Sequence, residues 1–390
     1  SGYFGHYVAG TDGKGYLLYL LEGIVYAAPM DLKNLEVTGT GVPVLDDVSG
    51  LRVNGFSQWA VSRFGTFAYI SGTGRNDQFT LNFMDLSGKL EPILAPTASY
   101  QAPVRPSTDG TRLLVRLTEG SSTNLAAFDF STRRTTRLTF LKSSVGNIGT
   151  WTPDSKHIIF GYTGTELSGT GLYWIRSDGG GEPQRLTERY GVPWSFSPDG
   201  KRFVYYAGSA TGSDQFGLWT VTLDMGDPEH PKAAAPELFL KASATVQYPT
   251  FSPDGHWIAY ASSETGKLQV YVRPFVPGSP ATGGKWQISN SLGAAGFWLP
   301  NHELLFSSQS SSGIVGYTTN ADSFVAGAIR PILEKSTIVT AGLPVMMPDG
   351  KRFVVMMPET STPSVQQSHV SFLLNFPDEL ERRVSAGTSK

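Results

Sequence analysis

The 390-residue chain contains no cysteine, which excludes a disulfide framework and a thiolate metal site. Its six histidines supply no His-rich metal set. Neither sign of charge prevails, because 31 Lys and Arg residues face 33 Asp and Glu residues and the formal net charge is −2. Such a balance leaves no electrostatic footprint for nucleic acid or an anionic membrane. We therefore expect no nucleic-acid partner, no metal and no cofactor.

Long apolar runs are also missing. The longest, residues 16–30, is interrupted by Glu22 and Gly23 and falls short of the roughly 20 residues that span a bilayer. This run is typical of a β-hairpin and predicts no direct membrane insertion by this chain. The first residue is Ser1, and no basic-then-apolar signal follows it. We expect a processed or excised fragment, with any anchor or signal outside it.

Turn residues, by contrast, are abundant, with 44 Gly and 25 Pro. They recur in a Ser-Pro-Asp-Gly turn followed by an apolar strand-like run, best seen in residues 250–263. Proline sets φ early in such a turn, Asp accepts backbone hydrogen bonds, and Gly takes the positive φ that closes it. The third positions of seven copies are residues 64, 109, 154, 199, 254, 301 and 349, and a weaker copy lies near residue 12.

Intervals of 45 to 55 residues between these turns, with four strand-like runs in each, are typical of β-propeller blades. We predict an all-β fold, a single β-propeller of four-stranded antiparallel blades over residues 1–376, with eight blades preferred and seven as the alternative. Residues 377–390 are expected to form a short C-terminal helix or a mobile tail. The last unit shows no clear fourth strand, so residues 3–9 are expected to pair with it and close the ring.

The repeated Ser-Pro-Asp-Gly-Lys/Arg turn with its following strand resembles the TolB-type (WD40-like) propeller repeat over nearly the whole chain. More narrowly, Gln-Val-Tyr-Val-Arg-Pro-Phe at 269–275 and Gly-Lys-Trp-Gln-Ile-Ser at 284–289 resemble the C-terminal propellers of bacterial membrane-anchored serine/threonine protein kinases. The resemblance implies an extracytoplasmic location, periplasmic or at the cell surface. It also implies a sensor or interaction role.

Catalytic motifs are absent from the sequence. It has no Gly-x-Ser-x-Gly elbow, no His-Arg-Asp and no Asp-Phe-Gly, so neither a hydrolase nor a kinase domain lies in this chain. The repeated aspartates are interpreted as turn residues rather than a carboxylate ring. Aromatic residues before the turns are interpreted as core between blades: Trp151, Phe196, Phe251 and Trp298. We predict that this chain has no catalytic residues and is not an enzyme.

A ligand is expected at the propeller face opposite the Pro-Asp-Gly turns, because loops on a rigid scaffold are the usual place for binding residues. Aromatic and amide side chains around a channel mouth suit a protein, peptide or carbohydrate ligand. The blade-to-blade segments of that face supply Tyr100, Gln101, Tyr190, Gln247 and Tyr248, and the loops between second and third strands supply Arg75, Asp77, Glu166, Asp214 and Glu264.

Three functions remain open. The first is a non-catalytic sensor or protein-interaction propeller, the extracytoplasmic part of a receptor-like serine/threonine kinase. The second is a periplasmic TolB-like protein-binding scaffold. The third is a lyase or hydrolase with its site in the channel. The sequence identifies neither the ligand nor the attached domains.

Overall fold

The computed structural model describes most of the chain. The described residues are 3–10, 15–21, 24–46, 48, 50–51, 56–62, 65–70, 79–95, 98–119, 122–142, 145, 147–208, 216–227, 229–289, 293, 295–299, 301–307, 312–320, 323–333, 343–358 and 370–387. The chain divides into two compact units. Unit 1 consists of Ser1–Gln78 and Glu359–Lys390, and unit 2 is Phe79–Pro358. These units differ in extent from the predicted propeller domain of residues 1–376.

Strands make up almost all of the secondary structure. Before residue 79 they are β1 (Tyr3–Ala9), β2 (Gly15–Leu21), β3 (Ile24–Asp31), β4 (Glu36–Val37), β5 (Val42–Leu45), β6 (Gly50–Leu51), β7 (Phe56–Ser57), β8 (Trp59–Val61) and β9 (Phe67–Ile70). In unit 2 they are β10 (Phe79–Asp85), β11 (Leu90–Pro92), β12 (Tyr100–Pro106), β13 (Arg112–Glu119), β14 (Ser122–Asp129), β15 (Thr135–Arg137), β16 (Thr150–Trp151), β17 (His157–Tyr162), β18 (Gly171–Arg176), β19 (Gln184–Thr187), β20 (Val192–Phe196), β21 (Arg202–Ala207), β22 (Gly217–Asp224), β23 (Lys232–Ala233), β24 (Glu237–Lys241), β25 (Val246–Phe251), β26 (Trp257–Ser262), β27 (Gln269–Pro274), β28 (Trp286–Gln287), β29 (Ala295–Leu299), β30 (Glu303–Ser307), β31 (Ser312–Asn320), β32 (Ser323–Leu333), β33 (Val345–Met346) and β34 (Arg352–Pro358). The chain ends with β35 (Val370–Leu373) and the helix α1 (Phe376–Gly387), where the sequence predicted a short helix.

The described residues of unit 2 form six antiparallel sheets, five with four strands and one with five. Their strand orders are β12-β13-β14-β15, β16-β17-β18-β19, β20-β21-β22-β23 with β24 on β22, β25-β26-β27-β28, β29-β30-β31-β32 and β11-β10-β34-β33. The predicted all-β class with four-stranded antiparallel sheets is therefore confirmed.

The core of unit 2 lies between successive sheets. One buried cluster joins the sheets that contain Leu114 and Ile158, and further clusters continue in the same way along the chain. Another joins Leu305 in the fifth sheet to Phe353 in the sixth. A last cluster packs Val354 of the sixth sheet against Leu113 of the first. Each sheet thus buries both faces against neighbours, which a single four-stranded sheet cannot achieve alone.

The repeated turns connect the first two strands of each sheet in the predicted way. In the copy at residues 107–112, the Ser107 hydroxyl donates to Asp109 Oδ1 over 2.6 Å, and the Gly110 amide donates to the Ser107 carbonyl over 2.9 Å. Gly110 has φ of +71°, a conformation that glycine adopts without strain. The Asp109 carboxylate also accepts the Thr111 amide at 3.0 Å. The interpretation of these aspartates as turn residues is confirmed.

The structure corrects the predicted closure of the repeat. β1 pairs with β2, not with the last repeat. The sixth sheet of unit 2 is completed by β10, whose residues from Phe79 to Asp85 lie opposite Pro358 to Arg352 of β34. β35 in turn pairs with β9. The sequence could not distinguish these partners, because backbone ladders are alike in every antiparallel pair and each candidate strand has a similar apolar pattern.

Unit 1 contains the remaining sheets and the helix. Two of its sheets have three or more strands, β1-β2-β3-β4 with β5 on β3, and β35-β9-β8. The turn copies near residues 12 and 64 belong to this unit, although both positions lie outside the described residues. The α1 residue Phe376 packs on Phe67 with ring centroids 4.5 Å apart. No helix in the described ranges is long and apolar enough to cross a bilayer.

Candidate functional site

The first strands of the six sheets in unit 2 surround a cavity of about 430 Å³. They are β12, β16, β20, β25, β29 and β33, and each contributes lining residues. The turn residues Ser107, Pro153 and Pro348 line it as well, so this cavity lies at the Pro-Asp-Gly end of the strands, not at the opposite face where the sequence predicted a ligand. Its size is in the range of pockets that hold small ligands or a peptide side chain.

Aromatic side chains form much of the cavity wall. Trp151, Phe251 and Trp298 lie just before the turns and line the cavity. They also belong to clusters between sheets, which confirms their interpretation as core. The indole Nε1 of Trp151 donates to the Arg105 carbonyl of the neighbouring sheet at 3.0 Å, and Trp298 Nε1 donates to the Thr250 carbonyl at 3.1 Å. These residues therefore both connect the sheets and line the cavity.

Three of the first strands contain irregularities at the same level. The register shifts between Gln101 and Arg105 in β12, between Pro193 and Ser195 in β20, and between Gln247 and Thr250 in β25. Bulges of this kind are frequent beside functional sites, because the extra residue re-aims a side chain. At the bulge in β25, Tyr248 has φ of +57°, which is strained for a residue with a Cβ.

Arg105 is held at the centre of this region by Trp194. Its guanidinium lies 3.9 Å from the centroid of the Trp194 ring, and its Nη1 donates to the Trp194 carbonyl over 2.9 Å. Its Nε is buried and has no hydrogen-bond partner in the described part of the chain. Arg105 is the only charged residue among the described residues that line the cavity. Burial lowers the pKa of Arg105 to about 10, which still leaves the side chain charged at neutral pH.

A second arginine and three tyrosines extend the cluster away from the turns. Arg116, on β13, is 7% exposed and donates from Nη2 to the Ala102 carbonyl. Burial lowers its pKa to about 10, while Tyr190 and Tyr206 act in the opposite direction. The Tyr206 hydroxyl also interacts electrostatically with Arg105 and Tyr248. The Arg105–Arg116 cluster is defined as these two arginines with Tyr190, Trp194, Tyr206 and Tyr248.

The tyrosines of the cluster are in their neutral form. Burial raises the pKa of Tyr190, Tyr206 and Tyr248 above the ordinary value. The Tyr248 ring lies 4.7 Å from that of Trp194, and the Tyr206 ring lies 6.2 Å from it. Neutral phenols donate hydrogen bonds, and the arginines are positively charged. The cluster therefore combines hydrogen-bond donors with positive charge, and two of its members, Arg105 and Trp194, line the cavity.

The structure brings together some of the predicted site residues and separates others. Tyr190 and Tyr248 belong to the cluster, and Gln101 and Gln247 flank two of the bulges and are half-buried. Tyr100 is 2% exposed and packs in the core between sheets.

The other predicted residues have separate surroundings. Glu166 accepts a hydrogen bond from the Lys142 amide at 2.7 Å, and Glu264 forms an ion pair with Lys285. Arg75, Asp77 and Asp214 lie outside the described residues.

Arg105, Arg116, Trp194 and Tyr206 were not predicted from the sequence. Their proximity depends on the bulges in the first strands. Each of the three bulges contains a proline within a strand, Pro103, Pro193 or Pro249, and these prolines were the signal that could have indicated the irregularities. Among the described residues, no group of three or more His, Asp and Glu side chains could hold a metal ion.

Comparison with known proteins shows one partial relative. No family model matches the chain. The uncharacterized protein Atu1656 of Agrobacterium fabrum is 29% identical over 137 residues, which cover 35% of this chain and 40% of that protein. The match thus spans less than half the length of this curated relative.

Solved structures are similar over more of the chain. The structure named "putative TolB from Agrobacterium tumefaciens" has a TM-score of 0.51 and 17% identity, and the match covers 72% of this chain and 98% of that one. TolB from Acinetobacter baumannii has a TM-score of 0.43 and 14% identity, with 86% of this chain and 77% of that one covered. At such identity a structural likeness concerns the fold alone. The chain therefore has an all-β fold of the TolB-like β-propeller kind.

Proposed function

We propose that this protein is a non-catalytic binding module of the TolB-like scaffold type, in which unit 2 is a closed six-bladed propeller that binds a partner segment in its channel. The observation that carries the proposal is the Arg105–Arg116 cluster, built at three strand irregularities. The strained backbone at Tyr248 and the buried charges of Arg105 and Arg116 each make the folded state less stable. A binding role explains why these unfavourable features occur together in one cluster.

The side chains of the cluster suit recognition of a protein or peptide. Trp, Tyr and Arg are the residues most enriched among those that dominate binding energies in interfaces. Here Arg105 is pre-ordered by its contacts with Trp194, and Trp194 is 7% exposed and packed by Tyr206 and Tyr248. Pre-ordered side chains lose little conformational entropy when a partner binds, so their contacts contribute more to affinity.

The attached kinase, the extracytoplasmic location and the sensor role form a narrower version of this proposal. They are supported only by the resemblance of residues 269–275 and 284–289 to the kinase propellers. A scaffold that binds other proteins needs no attached enzyme. The channel-site lyase or hydrolase has no specific support from the contacts of the cluster, which contain arginines and neutral phenols but, among the described residues, no carboxylate or histidine that acts on either arginine.

The proposal is tested with a display library of short peptides, selected on the full chain and measured by calorimetry. Truncation of Tyr190 or Tyr248 to Ala is expected to weaken binding of a selected peptide by about 1–2 kcal/mol, as aromatic anchors do. Tyr260→Phe is the control, because Tyr260 is a buried tyrosine beside an arginine, Arg273, but lies outside the Arg105–Arg116 cluster.

Selected peptides whose affinity is the same in wild type, Tyr190→Ala and Tyr248→Ala would show that the cluster is not the binding site. Failure to select any peptide, or turnover of peptide, ester or glycan substrates by the purified chain, would contradict the binding-module function itself.

A further inference from the structure

The charge balance of the channel points to the chemistry of its ligand. Of the described residues that line the cavity, Arg105 alone is charged, and the residues that influence its pKa include no carboxylate. A charge in a desolvated position is ordinarily matched by an opposite charge from the protein or from a ligand. In the described part of the channel the protein supplies none to Arg105.

The geometry of Arg105 also fits recognition of an anion. Stacking on Trp194 at 3.9 Å and the bond from Nη1 to the Trp194 carbonyl fix the plane of the guanidinium. A planar guanidinium held in one orientation presents a fork of N–H donors that matches the two oxygens of a carboxylate.

The surroundings of Arg105 reinforce its preference for an anion. Arg116 adds a second positive charge on the neighbouring strand, and both arginines interact electrostatically with Tyr206. Burial keeps the phenol of Tyr206 neutral by raising its pKa, so Tyr206 can donate a hydrogen bond to an anion without repelling it.

The aspartates of the turns do not neutralise Arg105, so its preference for an anionic ligand remains. The carboxylates of Asp109 and Asp199 accept hydrogen bonds from hydroxyls and amides of their own turns. They are exposed and are not among the residues that line the cavity. Exposed charges are screened by solvent and salt far more than the desolvated Arg105.

We propose that the channel of unit 2 binds a ligand that carries a carboxylate next to an apolar or aromatic group, with the carboxylate on Arg105. The apolar part follows from the walls, to which Trp151, Phe251 and Trp298 contribute. This inference rests on the proposed binding function and specifies the class of its ligand. A free acidic side chain or a chain terminus beside an aromatic residue has this chemistry.

The test uses N-acetyl-L-phenylalanine and its carboxamide, which differ in charge but hardly in shape. Binding to the full chain is measured by ligand-observed NMR and calorimetry at low salt. The acid is expected to bind at least about 10-fold more tightly than the amide, the usual effect of a charge-assisted bidentate contact. In Arg105→Gln the two affinities are expected to become equal.

Arg352→Gln is the matched control. Arg352 lies 3.9 Å from the Phe83 ring centroid, the same distance as Arg105 from Trp194, but it pairs with Asp349 and does not line the cavity. The Arg352→Gln variant should prefer the acid over the amide as strongly as wild type does. Because the comparison of acid with amide is made on the unaltered protein, it holds even if Arg105→Gln fails to fold.

Each outcome decides between the two proposals. If acid and amide bind equally well and Tyr248→Ala weakens both, the proposed carboxylate contact with Arg105 is wrong, whereas the binding function stands. The absence of saturable acid binding would overturn the carboxylate as well, whereas the peptide selection reports on the function separately. Tighter binding of phenylphosphonate than of the acid would replace the carboxylate by a phosphate-like group.

Discussion

Tyr248 offers a direct test of strain at the candidate site. Its φ of +57° lies in the left-handed region, where a residue with a Cβ is less stable by about 1–2 kcal/mol than in an ordinary conformation. Glycine does not suffer this penalty, although its greater freedom in the unfolded chain lowers stability by about 0.4–1 kcal/mol. Tyr248→Gly and Tyr248→Ala lose the same ring contact with Trp194. We therefore expect Tyr248→Gly to be more stable than Tyr248→Ala by roughly 1 kcal/mol.

Gly316 provides the matched comparison. It lies in β31 and is exposed, has no positive φ, and a Cβ there would meet no atom within 4 Å. At such a strand position alanine should be more stable than glycine by about 0.5–1 kcal/mol. The order of Gly and Ala is thus expected to reverse between position 248 and position 316.

The assay is urea unfolding of wild type, Tyr248→Gly, Tyr248→Ala and Gly316→Ala. Unfolding is followed by tryptophan fluorescence, and the free energy of unfolding is extrapolated to water. The Tyr248 variants should report clearly, because the Trp194 ring lies 4.7 Å from the Tyr248 ring. If alanine is the more stable residue at both positions, the backbone of Tyr248 is not strained. The bulge in β25 would then give no support to a functional site.

Two further predictions concern the turns. Gly255→Ala should lower the melting temperature more than Gly278→Ala, since both glycines have φ near +75° (+75° and +74°) but only the new Cβ at 255 would meet Pro198, at 3.3 Å; equal shifts would show that Pro198 moves freely. A serine hydroxyl and turn amides lower the pKa of Asp199, so its ionised form stabilises the fold above the unfolded pKa of about 3.9, and this contribution is lost as the pH falls through the folded value. Asp199→Asn should therefore be less stable than wild type at pH 7, with a difference that shrinks below about pH 4; a pH-independent difference in melting temperature would contradict the ionic contribution.

The sequence predicted only some residues of the candidate site. Tyr190 and Tyr248 were predicted because they lie in blade-to-blade segments, and both reach the cluster. Tyr100 lies in an equivalent segment of the sequence but packs in the core. The difference arises because a shift of one residue in a strand turns each side chain to the other face, and the bulges that cause the shift depend on neighbouring sheets.

The amino-acid sequence by itself determined the repeated elements of this protein. The positive φ of Gly110 and the hydrogen bonds of Asp109 follow from local chemistry, which acts over a few residues and needs no distant partner. The apolar runs around each turn determined the strands and the clusters that join them.

The tertiary structure decided which distant strands pair and which side chains meet. The pairing of Phe79–Asp85 with Arg352–Pro358 and the contact of Arg105 with Trp194 join residues far apart in the chain. Backbone hydrogen bonds are nearly indifferent to the identity of the pairing strand, so the choice falls to packing of whole sheets and to the closure of long loops. The repeated local pattern therefore specified the strands. The pairing of the first and last strands of unit 2, and the position of Arg105 in the cavity, arose only from the folded arrangement.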